Sequence, residues 1–271
     1  MATPYRDGPA TGAVPPDVLI CSGLDPSGGA GFLADARVVS MLGGRPVGVV
    51  TALTVQNTLG MRSCHEVDRD VFGAQLNALL TDVEVKAIKL GLLGSADVIR
   101  ELDEQLALTQ APLVWDPVAA ATQGDGVFLG SRGELLELVL KSLGRHLSLI
   151  TPNAGELGLL TGAEITDLAQ AAQAAQALAQ VAKVAVLVKG GHLGTDESVD
   201  VLCHAGGVEY FRGPRIDTED VHGTGCALSS AIATFLALET PLVEACRLAK
   251  LFVAERIAHP ARPGRGAPAV V

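Results

Sequence analysis

The pentapeptide HGTGC at residues 222–226 has the residue types needed to bind and transfer an anionic group. It precedes the apolar run 227–236, which predicts a buried helix. A glycine-rich turn at the start of such a helix directs unpaired backbone N–H groups and the positive end of the helix dipole at one point. We therefore expect an anion site here, with Cys226 at the mouth of the helix. The alternative is a tight turn before a packed helix, in which Cys226 is a small core residue.

Other polar or glycine-rich stretches each follow a short apolar run that predicts a buried strand. They are residues 23–31, 54–58, 116–126, 151–156 and 189–192. In open α/β sheets, ligands bind beyond the carboxyl ends of the strands. Together with the HGTGC turn, these stretches predict one ligand site at a single edge of the sheet.

The elements that must position this site alternate along the chain. Apolar runs predict strands at residues 18–21, 46–53, 85–90, 113–115, 147–150 and 185–188, with a short extra strand at 62–67. Apolar periodicity predicts helices at residues 32–42, 68–82, 167–182, 227–236 and 242–258, and two more that begin after Ser95 and Ser131. This alternation predicts a parallel sheet covered by helices on both faces, to which a hairpin of residues 198–203 and 208–212 adds antiparallel strands at one edge.

No linker divides the chain, so residues 17–258 are predicted to form a single domain. The proline-rich residues 1–16 predict a disordered arm, and they lack the apolar run of a signal peptide. The Pro/Gly/Ala-rich residues 259–271 predict a flexible tail.

Composition restricts the partners and the compartment. Hydrophobic residues make up 48% of the 271 residues, which is enough for a sizeable core. The net charge of −10 argues against binding to nucleic acid or to an anionic membrane, and no apolar run approaches the roughly 20 residues of a membrane span. The five scattered cysteines form no C-x-x-C pair, so neither a zinc site nor a disulfide framework is expected, and a reducing cytoplasm fits best.

Common nucleotide-binding and hydrolase motifs are missing from the sequence. The P-loop pattern, G-x-G-x-x-G after the first strand, H-E-x-x-H and G-x-S-x-G do not occur. A nucleotide, if one binds, must be held by another design.

Six motifs in a fixed order carry a family resemblance: GLDPSGGAG at 23–31, TALTVQNT at 51–58, DPV at 116–118, TPN with Glu156 at 151–156, VKGGH at 188–192 and HGTGC at 222–226. Together they resemble the hydroxymethylpyrimidine/phosphomethylpyrimidine kinases of thiamine biosynthesis, in the ribokinase superfamily, over residues 18–257. The resemblance implies a ribokinase-like three-layer α/β/α sandwich, whose mostly parallel central sheet has a small antiparallel edge. It also implies ATP with Mg²⁺, phosphorylation of the hydroxymethyl group and then of the monophosphate, and a homodimer.

The resemblance assigns the pyrimidine ring to Gly23, Asp35, Gln56 and Val118. Asp35 and Gln56 offer donors and acceptors that suit an aminopyrimidine edge. For Asp35, the alternative is a solvated carboxylate at the start of a helix. For Gln56, the alternative is a loop side chain that ties down backbone.

The resemblance assigns the transferring phosphoryl group to Gly223, Thr224, Gly225 and Cys226. Cys226 takes the place of the aspartate base found in much of the superfamily. A thiolate at a helix N-terminus has a lowered pKa, so Cys226 is predicted to accept the hydroxyl proton. Because a loose transition state needs little help from a base, the alternative is that Cys226 only binds and orients the alcohol.

The resemblance assigns ATP to Lys189, Asn153, Thr224 and Asp116, and Mg²⁺ to Asp116 and Glu156. Lys189 provides a point charge for phosphate in an otherwise acidic chain, and the alternative is a strand-end lysine in solvent. Asn153 and Glu156 also have the spacing of a capping box, and capping can coexist with metal binding.

Departures from the family pattern fall around the ring site. Leu24 stands where the family usually has serine, Leu92 where methionine is common, and Ala119 and Ala120 where residues are bulkier. They predict an apolar, enlarged pocket, so a pyridoxal kinase on the same scaffold stays open as an alternative. A non-catalytic pyrimidine-binding sensor is the rival from another class, and the intact phosphate-binding residues argue against it.

Overall fold

The computed structural model describes residues 14–118, 132–191, 193, 197–216, 218 and 220–271. Residues 1–13 of the predicted arm and the predicted cap residue Ser131 lie outside the described residues. None of the helices in these ranges is long and apolar enough to cross a membrane.

A nine-stranded sheet forms the centre of the described chain, in the order β3-β2-β1-β4-β5-β6-β7-β8-β9. The strands are β1 (Asp17–Leu24), β2 (Arg45–Asn57), β3 (Gly60–Glu66), β4 (Val85–Leu90), β5 (Leu113–Trp115), β6 (Leu147–Ile150), β7 (Ala185–Val188), β8 (Glu197–His204) and β9 (Gly207–Pro214). The strands from β2 to β7 in this order are parallel, whereas β3 at one edge and β8 with β9 at the other are antiparallel. The mostly parallel sheet is confirmed. Antiparallel pairing occurs at both edges, and not only at the predicted hairpin. At the β3 edge, only Thr58 and Leu59 separate β2 from β3, which are too few residues for a crossover.

Helices cover both faces of this sheet. They are α1 (Gly31–Met41), α2 (Arg69–Leu80), α3 (Ala96–Leu106), α4 (Arg132–Leu143), α5 (Ala154–Thr161), α6 (Leu168–Ala182), α7 (Thr224–Ala237) and α8 (Leu242–Ala258). Helices α1, α7 and α8 pack on one face, and α2 to α6 pack on the other. The predicted three-layer α/β/α sandwich is therefore confirmed.

The central strand β1 shows how the sequence buries the sheet on both faces. Val18, Leu19, Ile20 and Cys21 have no exposed surface. Val18 and Ile20 enter the core beneath α1, α7 and α8, and Leu19 and Cys21 enter the opposite core, as the two-residue period of a strand requires. Helix α7 is buried along nearly its whole length because it packs across β4 and β5. It therefore carries the HGTGC turn to the middle of the sheet edge.

Side-chain caps fix where several helices begin. Ser95 accepts a hydrogen bond from the Val98 N–H at the start of α3, as the sequence predicts. Asp68 and Asp167 cap α2 and α6 in the same way. These caps satisfy N–H groups at the start of three helices, and the apolar side chains of the same helices pack on one face of the sheet.

The segment after α8 differs from the predicted flexible tail at residues 259–271. Ala269 and Val270 are each only 1% exposed. The His222 N–H donates to the Pro268 carbonyl at 2.8 Å, and the Val270 N–H donates to the His222 carbonyl at 3.1 Å. The Ala267 N–H donates to the Thr58 carbonyl at 2.9 Å. No helix or strand forms over these residues, but the backbone pairs with two distant loops and packs onto the domain.

Candidate active site

The loops at the carboxyl ends of the parallel strands meet at one edge of the sheet. Direct contacts join them in pairs: Gln56 with His222, Asp116 with Lys189, Asn153 with Lys189, and Gly29 with Gly223. Residues 119–126 of one predicted loop, and His192 of another, lie outside the described residues. The described parts form a single site, as the position of each loop after its strand predicts.

The turn before α7 is shaped by Gly223. Its φ is +85°, in the left-handed region, and an added Cβ would lie 2.0 Å from the Gly29 carbonyl oxygen. Only glycine fits both conditions. The first hydrogen bond of the helix runs from the Ala227 N–H to the Gly223 carbonyl, so the N–H groups of Thr224, Gly225 and Cys226 precede the helical ladder. These donors, at the positive end of a buried helix, are suited to binding an anion.

A cluster of opposite charges lies directly against this turn. Lys189 Nζ is 2.6 Å from Asp116 Oδ1 and 3.5 Å from Glu156 Oε2. The Thr151 hydroxyl donates to the same Asp116 oxygen at 3.2 Å. A Cβ at Gly225 would lie 3.1 Å from Lys189 Nζ and 3.4 Å from Asp116 Oδ2. The predicted phosphate and metal residues are therefore brought together beside the helix start.

Lys189 is not the solvent-exposed strand-end lysine of the alternative interpretation, since its side chain is 17% exposed. Burial lowers the pKa of Lys189, but Asp116 and Glu156 outweigh this effect and hold the pKa above its ordinary value. Burial also raises the pKa of Glu156 above its ordinary value, with Lys189 acting in the opposite direction. Lys189 is a permanent cation between two carboxyl groups.

The capping box at the start of α5 is present. The Asn153 N–H donates to Glu156 Oε2 at 2.7 Å, and the Glu156 N–H donates to Asn153 Oδ1 at 2.9 Å. The same Glu156 oxygen faces Lys189, so capping and a place in the charged cluster coexist. Among the described residues no group of three or more His, Cys, Asp or Glu side chains could hold a metal alone. Asp116 and Glu156 fit a sparsely held Mg²⁺, which takes its other ligands from water and phosphate.

Cys226 does not have the lowered pKa that its place at a helix N-terminus predicts. Burial raises the pKa of Cys226 to about 11. Lys89 and a hydrogen bond from the Gly31 N–H lower this pKa, while the Asp35 and Asp116 carboxylates add to the increase. Desolvation and nearby negative charge therefore outweigh the helix end, and the thiol is neutral at neutral pH.

Asp35 lies in a buried network under the site. Its carboxylate has no exposed surface, so the solvated alternative is wrong. Its Oδ2 accepts from Lys89 Nζ at 2.5 Å and from the Ser22 hydroxyl at 2.7 Å, and its Oδ1 accepts from the Ser230 hydroxyl at 2.8 Å. Because both oxygens already have donors, direct contact of Asp35 with a pyrimidine stays a prediction. Lys89 was not anticipated, because β4 carries two lysines and the sequence does not show that Lys86 is exposed while Lys89 is buried.

Gln56 contacts two residues to which the sequence assigned no role. Its Nε2 lies 3.3 Å from Asp25 Oδ2 and 3.1 Å from His222 Nε2. Burial raises the pKa of Asp25, but hydrogen bonds from His222 and Ser27 outweigh it and hold this pKa below its ordinary value. Asp25 and His222 lie within two of the motifs, yet nothing in the sequence indicates that they touch.

The remaining predicted ring residues line the same edge. An added Cβ at Gly23 would lie 2.9 Å from Leu92 Cδ2, so the leucine that replaces methionine packs against this glycine. The Val118 N–H donates to the Asp116 carbonyl at 2.8 Å, which fixes the turn after β5. Ala119 and Ala120, predicted to enlarge the pocket, lie outside the described residues.

Comparisons with known proteins agree with these motifs. The family described as Phosphomethylpyrimidine kinase matches residues 25–270. The chain belongs to this family. A hydroxymethylpyrimidine/phosphomethylpyrimidine kinase of Mycobacterium bovis is 39% identical over 266 residues, which cover 94% of each chain. The predicted family, fold and enzyme class are thereby confirmed.

Solved structures include phosphomethylpyrimidine kinases and pyridoxal kinases. A phosphomethylpyrimidine kinase of Clostridium difficile has a TM-score of 0.76 and 32% identity, and the match covers 90% of this chain and 100% of that chain. A pyridoxal kinase of Bacillus subtilis in complex with ADP has a TM-score of 0.85 and 26% identity, covering 94% of this chain and 97% of that one. Enzymes named for both activities therefore share the fold of this chain. The contacts that a site makes with the substrate ring must distinguish the two substrates.

Proposed function

We propose that this protein transfers the γ-phosphoryl group of ATP to the hydroxymethyl oxygen of 4-amino-5-hydroxymethyl-2-methylpyrimidine. It then phosphorylates the monophosphate to the diphosphate, for thiamine biosynthesis. The observation that carries the proposal is the row of first-turn N–H groups of α7 beside Lys189 and Asp116, in a chain of the phosphomethylpyrimidine kinase family.

The anion site would bind the phosphoryl group during transfer. Phosphoryl transfer depends mainly on positioning and on stabilising charge, which backbone N–H groups and a buried lysine provide. The N–H groups of Thr224, Gly225 and Cys226 would contact the transferring group, and Lys189 would contact the phosphates of ATP. The pyridoxal kinase solved with ADP supports nucleotide binding on this scaffold.

Asp116, Glu156 and the capping residue Asn153 would hold the nucleotide's Mg²⁺ and phosphates. Lys189 balances only one of the two carboxylates next to it when both are ionised. The site would therefore need a further cation before a nucleotide triphosphate approaches. When bound, Mg²⁺ would neutralise phosphate charge.

Cys226 would orient the alcohol rather than remove its proton. Its pKa of about 11 leaves the thiol neutral at neutral pH. A loose transition state needs little proton removal before the phosphoryl group moves. The thiol would therefore hold the hydroxyl oxygen in line with phosphorus, and the hydroxyl proton would pass late in the reaction to an oxygen of the transferred phosphoryl group.

Gly23, Gln56 and Val118 would bind the pyrimidine ring, and Asp35 would act from beneath it through Lys89. Pyridoxal phosphorylation is the second candidate, favoured by the TM-score of 0.85 to a pyridoxal kinase. A non-catalytic sensor would have no need of the phosphate-binding turn.

A coupled ADP-release assay with the aminopyrimidine and with pyridoxal, side by side, tests these functions. We expect turnover of the pyrimidine, and product analysis by mass to detect both the monophosphate and the diphosphate. Turnover of pyridoxal alone would replace the first candidate by the second. Tight pyrimidine binding without turnover of either compound would leave only the sensor.

We also propose a homodimer in the cytoplasm. Leu53 and Val55 on β2 are 45% and 47% exposed, and Leu59 in the following turn is 64% exposed. A second copy would cover this apolar surface. Light scattering after size exclusion should give a dimer for the wild type and a monomer for Val55→Glu, and a monomeric wild type would contradict the proposal. All five cysteines are unpaired, which suits a reducing compartment.

A further inference from the structure

Asp25, Gln56 and His222 form a triangle that joins three loops of the site. Gln56 Nε2 lies 3.3 Å from Asp25 Oδ2 and 3.1 Å from His222 Nε2, and His222 Nε2 lies 3.3 Å from Asp25 Oδ2. Asp25 is 3% exposed. The proposed reaction gives Asp25 and His222 no task, although both lie against the residue proposed to contact the ring.

The surroundings of Asp25 determine what its carboxylate can do. Its Oδ1 accepts from the Ser27 N–H at 2.9 Å and from the Ser27 hydroxyl at 2.7 Å, and its Oδ2 accepts from the Ala30 N–H at 3.1 Å. Hydrogen bonds to the charged form favour ionisation. An ionised carboxylate has no proton to donate, so a group that hydrogen-bonds to it must be a donor.

This requirement orients the carboxamide of Gln56. The two ends of an amide have nearly the same shape, and only their hydrogen-bond partners distinguish them. Asp25 requires the NH₂ end, because the carbonyl end would set an oxygen lone pair against an ionised carboxylate. His222 Nε2 faces the same two groups, so it either donates to Asp25 or accepts from the Gln56 amide, but not both. The carbonyl oxygen of Gln56 therefore points away from Asp25. Its nearest donor is the Thr54 hydroxyl at 3.4 Å, and that hydroxyl is engaged by the Leu24 carbonyl at 2.7 Å. The Gln56 oxygen thus keeps acceptor capacity for a ligand.

We propose that Asp25 and His222 are positioning residues that fix the Gln56 carboxamide with its oxygen toward the substrate, so that the site selects a ring bearing an amino group. An exocyclic amine donates to this oxygen, whereas the ionised phenolic oxygen of pyridoxal can only accept and meets it unfavourably. The proposal rests on the proposed function, in which Gln56 faces the ring. It adds the residues that make Gln56 selective.

Asp25→Asn tests the orientation directly. An asparagine amide can donate to the Gln56 oxygen, so the Gln56 amide is free to rotate by 180°. A misoriented buried hydrogen bond costs about 1–3 kcal/mol, so the ratio of kcat/KM for the aminopyrimidine over pyridoxal should fall about tenfold. The KM for ATP should change little, since the contacts of the Asp25 side chain are with Ser27, Ala30, Gln56 and His222 and not with the Lys189 cluster. Asp97→Asn makes the same chemical change on the exposed surface of α3 and should keep the wild-type ratio.

His222→Ala is the second variant, for use if Asp25→Asn does not fold. It removes one of the groups that hold Gln56, so the KM for the pyrimidine should rise about fivefold with kcat little changed. His222→Gln, whose amide can donate to Asp25 or accept from Gln56, should recover most of the affinity. A fall in kcat at constant KM would overturn a positioning role.

The two proposals fail in different ways. An active wild type whose selectivity is the same in Asp25→Asn, or whose pyrimidine KM is the same in His222→Ala, overturns the positioning role alone. A wild type that turns over neither compound overturns the proposed function, and the positioning role falls with it.

Discussion

Two glycines in the turn before α7 separate the stability of the turn from its function. At Gly223, φ is +85° and an added Cβ would lie 2.0 Å from the Gly29 carbonyl oxygen. At Gly225, an added Cβ would lie 3.1 Å from Lys189 Nζ and 3.4 Å from Asp116 Oδ2. A methyl group at the first position strains the backbone, whereas at the second it enters the space beside the groups proposed to bind phosphate.

Gly223→Ala should therefore lower stability. Left-handed backbone costs alanine about 1–2 kcal/mol, and relieving the contact with a backbone oxygen costs about 1–3 kcal/mol more. The sum of about 2–5 kcal/mol corresponds to a fall of about 5–15 °C in melting temperature for a chain of this size.

Gly225→Ala should leave stability unchanged or raise it. Alanine is favoured over glycine in a helix by up to about 1 kcal/mol, and the nearest atom is the end of a flexible lysine side chain. The added methyl group should nevertheless obstruct the phosphate. Loss of one charge-assisted hydrogen bond costs about 1.5–3 kcal/mol, which is a loss of about ten- to hundredfold in kcat/KM for ATP.

Thermal unfolding by circular dichroism and ADP-release kinetics should be measured on both variants in the same buffer. The two substitutions are chemically identical and two residues apart, so each is the control for the other. Wild-type kinetics in Gly225→Ala would refute the assignment of phosphoryl transfer to this turn. An unchanged melting temperature in Gly223→Ala would refute the close approach to residue 29.

Three further perturbations test charge and contact elsewhere. Burial raises the pKa of Cys226 from 9.0 to about 11, so the stability that the neutral thiol contributes is complete below pH 9 and is lost as pH rises toward 11. In urea unfolding, the free energy of unfolding should fall less between pH 8 and pH 10 for Cys226→Ser than for the wild type, and equal falls would contradict this. Lys89→Met leaves Asp35 as a lone buried carboxylate and should lower the free energy of unfolding in urea by about 3–5 kcal/mol. The double variant Lys89→Met/Asp35→Asn should recover most of this loss, and no recovery would argue against the ion pair. Gly266→Ala places a methyl group 1.9 Å from the Thr58 carbonyl oxygen and should speed proteolysis of the segment after α8, whereas an unchanged cleavage rate would contradict its docking.

The layered fold could be predicted because its signals are local. The apolar residues of β4 end at a glycine, and the predicted strand at residues 85–90 has the bounds of the observed one. The helix predicted at residues 242–258 likewise matches α8. The second antiparallel edge was not placed in advance, because the partner of β3 depends on a two-residue turn and not on the composition of the strand.

The site could be predicted only as far as the position of its loops after the strands. The contact between Gln56 and His222 joins residues 166 positions apart, and no local pattern encodes it. The segment that contains Ala269 shows the same limit, since its prolines and glycines indicate irregular backbone but not the loops with which that backbone pairs. The predicted pKa of Cys226 was wrong because the helix end is visible in the sequence, whereas burial near Asp35 and Asp116 is not.

The charges around Cys226 give a physical reason for a thiol at this position. Its pKa responds to Lys89, Asp35 and Asp116, so it lies between the Asp35–Lys89 pair and the Asp116–Lys189 pair. Each lysine already faces a carboxylate of its own. A carboxylate base at Cys226 would add an unmatched negative charge where the proposed nucleotide approaches, and it would be protonated or repel the phosphates. A neutral thiol would keep a hydrogen-bonding group beside the proposed alcohol without that charge. Stabilisation of the transferring group would then be left to the backbone N–H groups and Lys189, which suits a reaction that depends on positioning more than on proton removal.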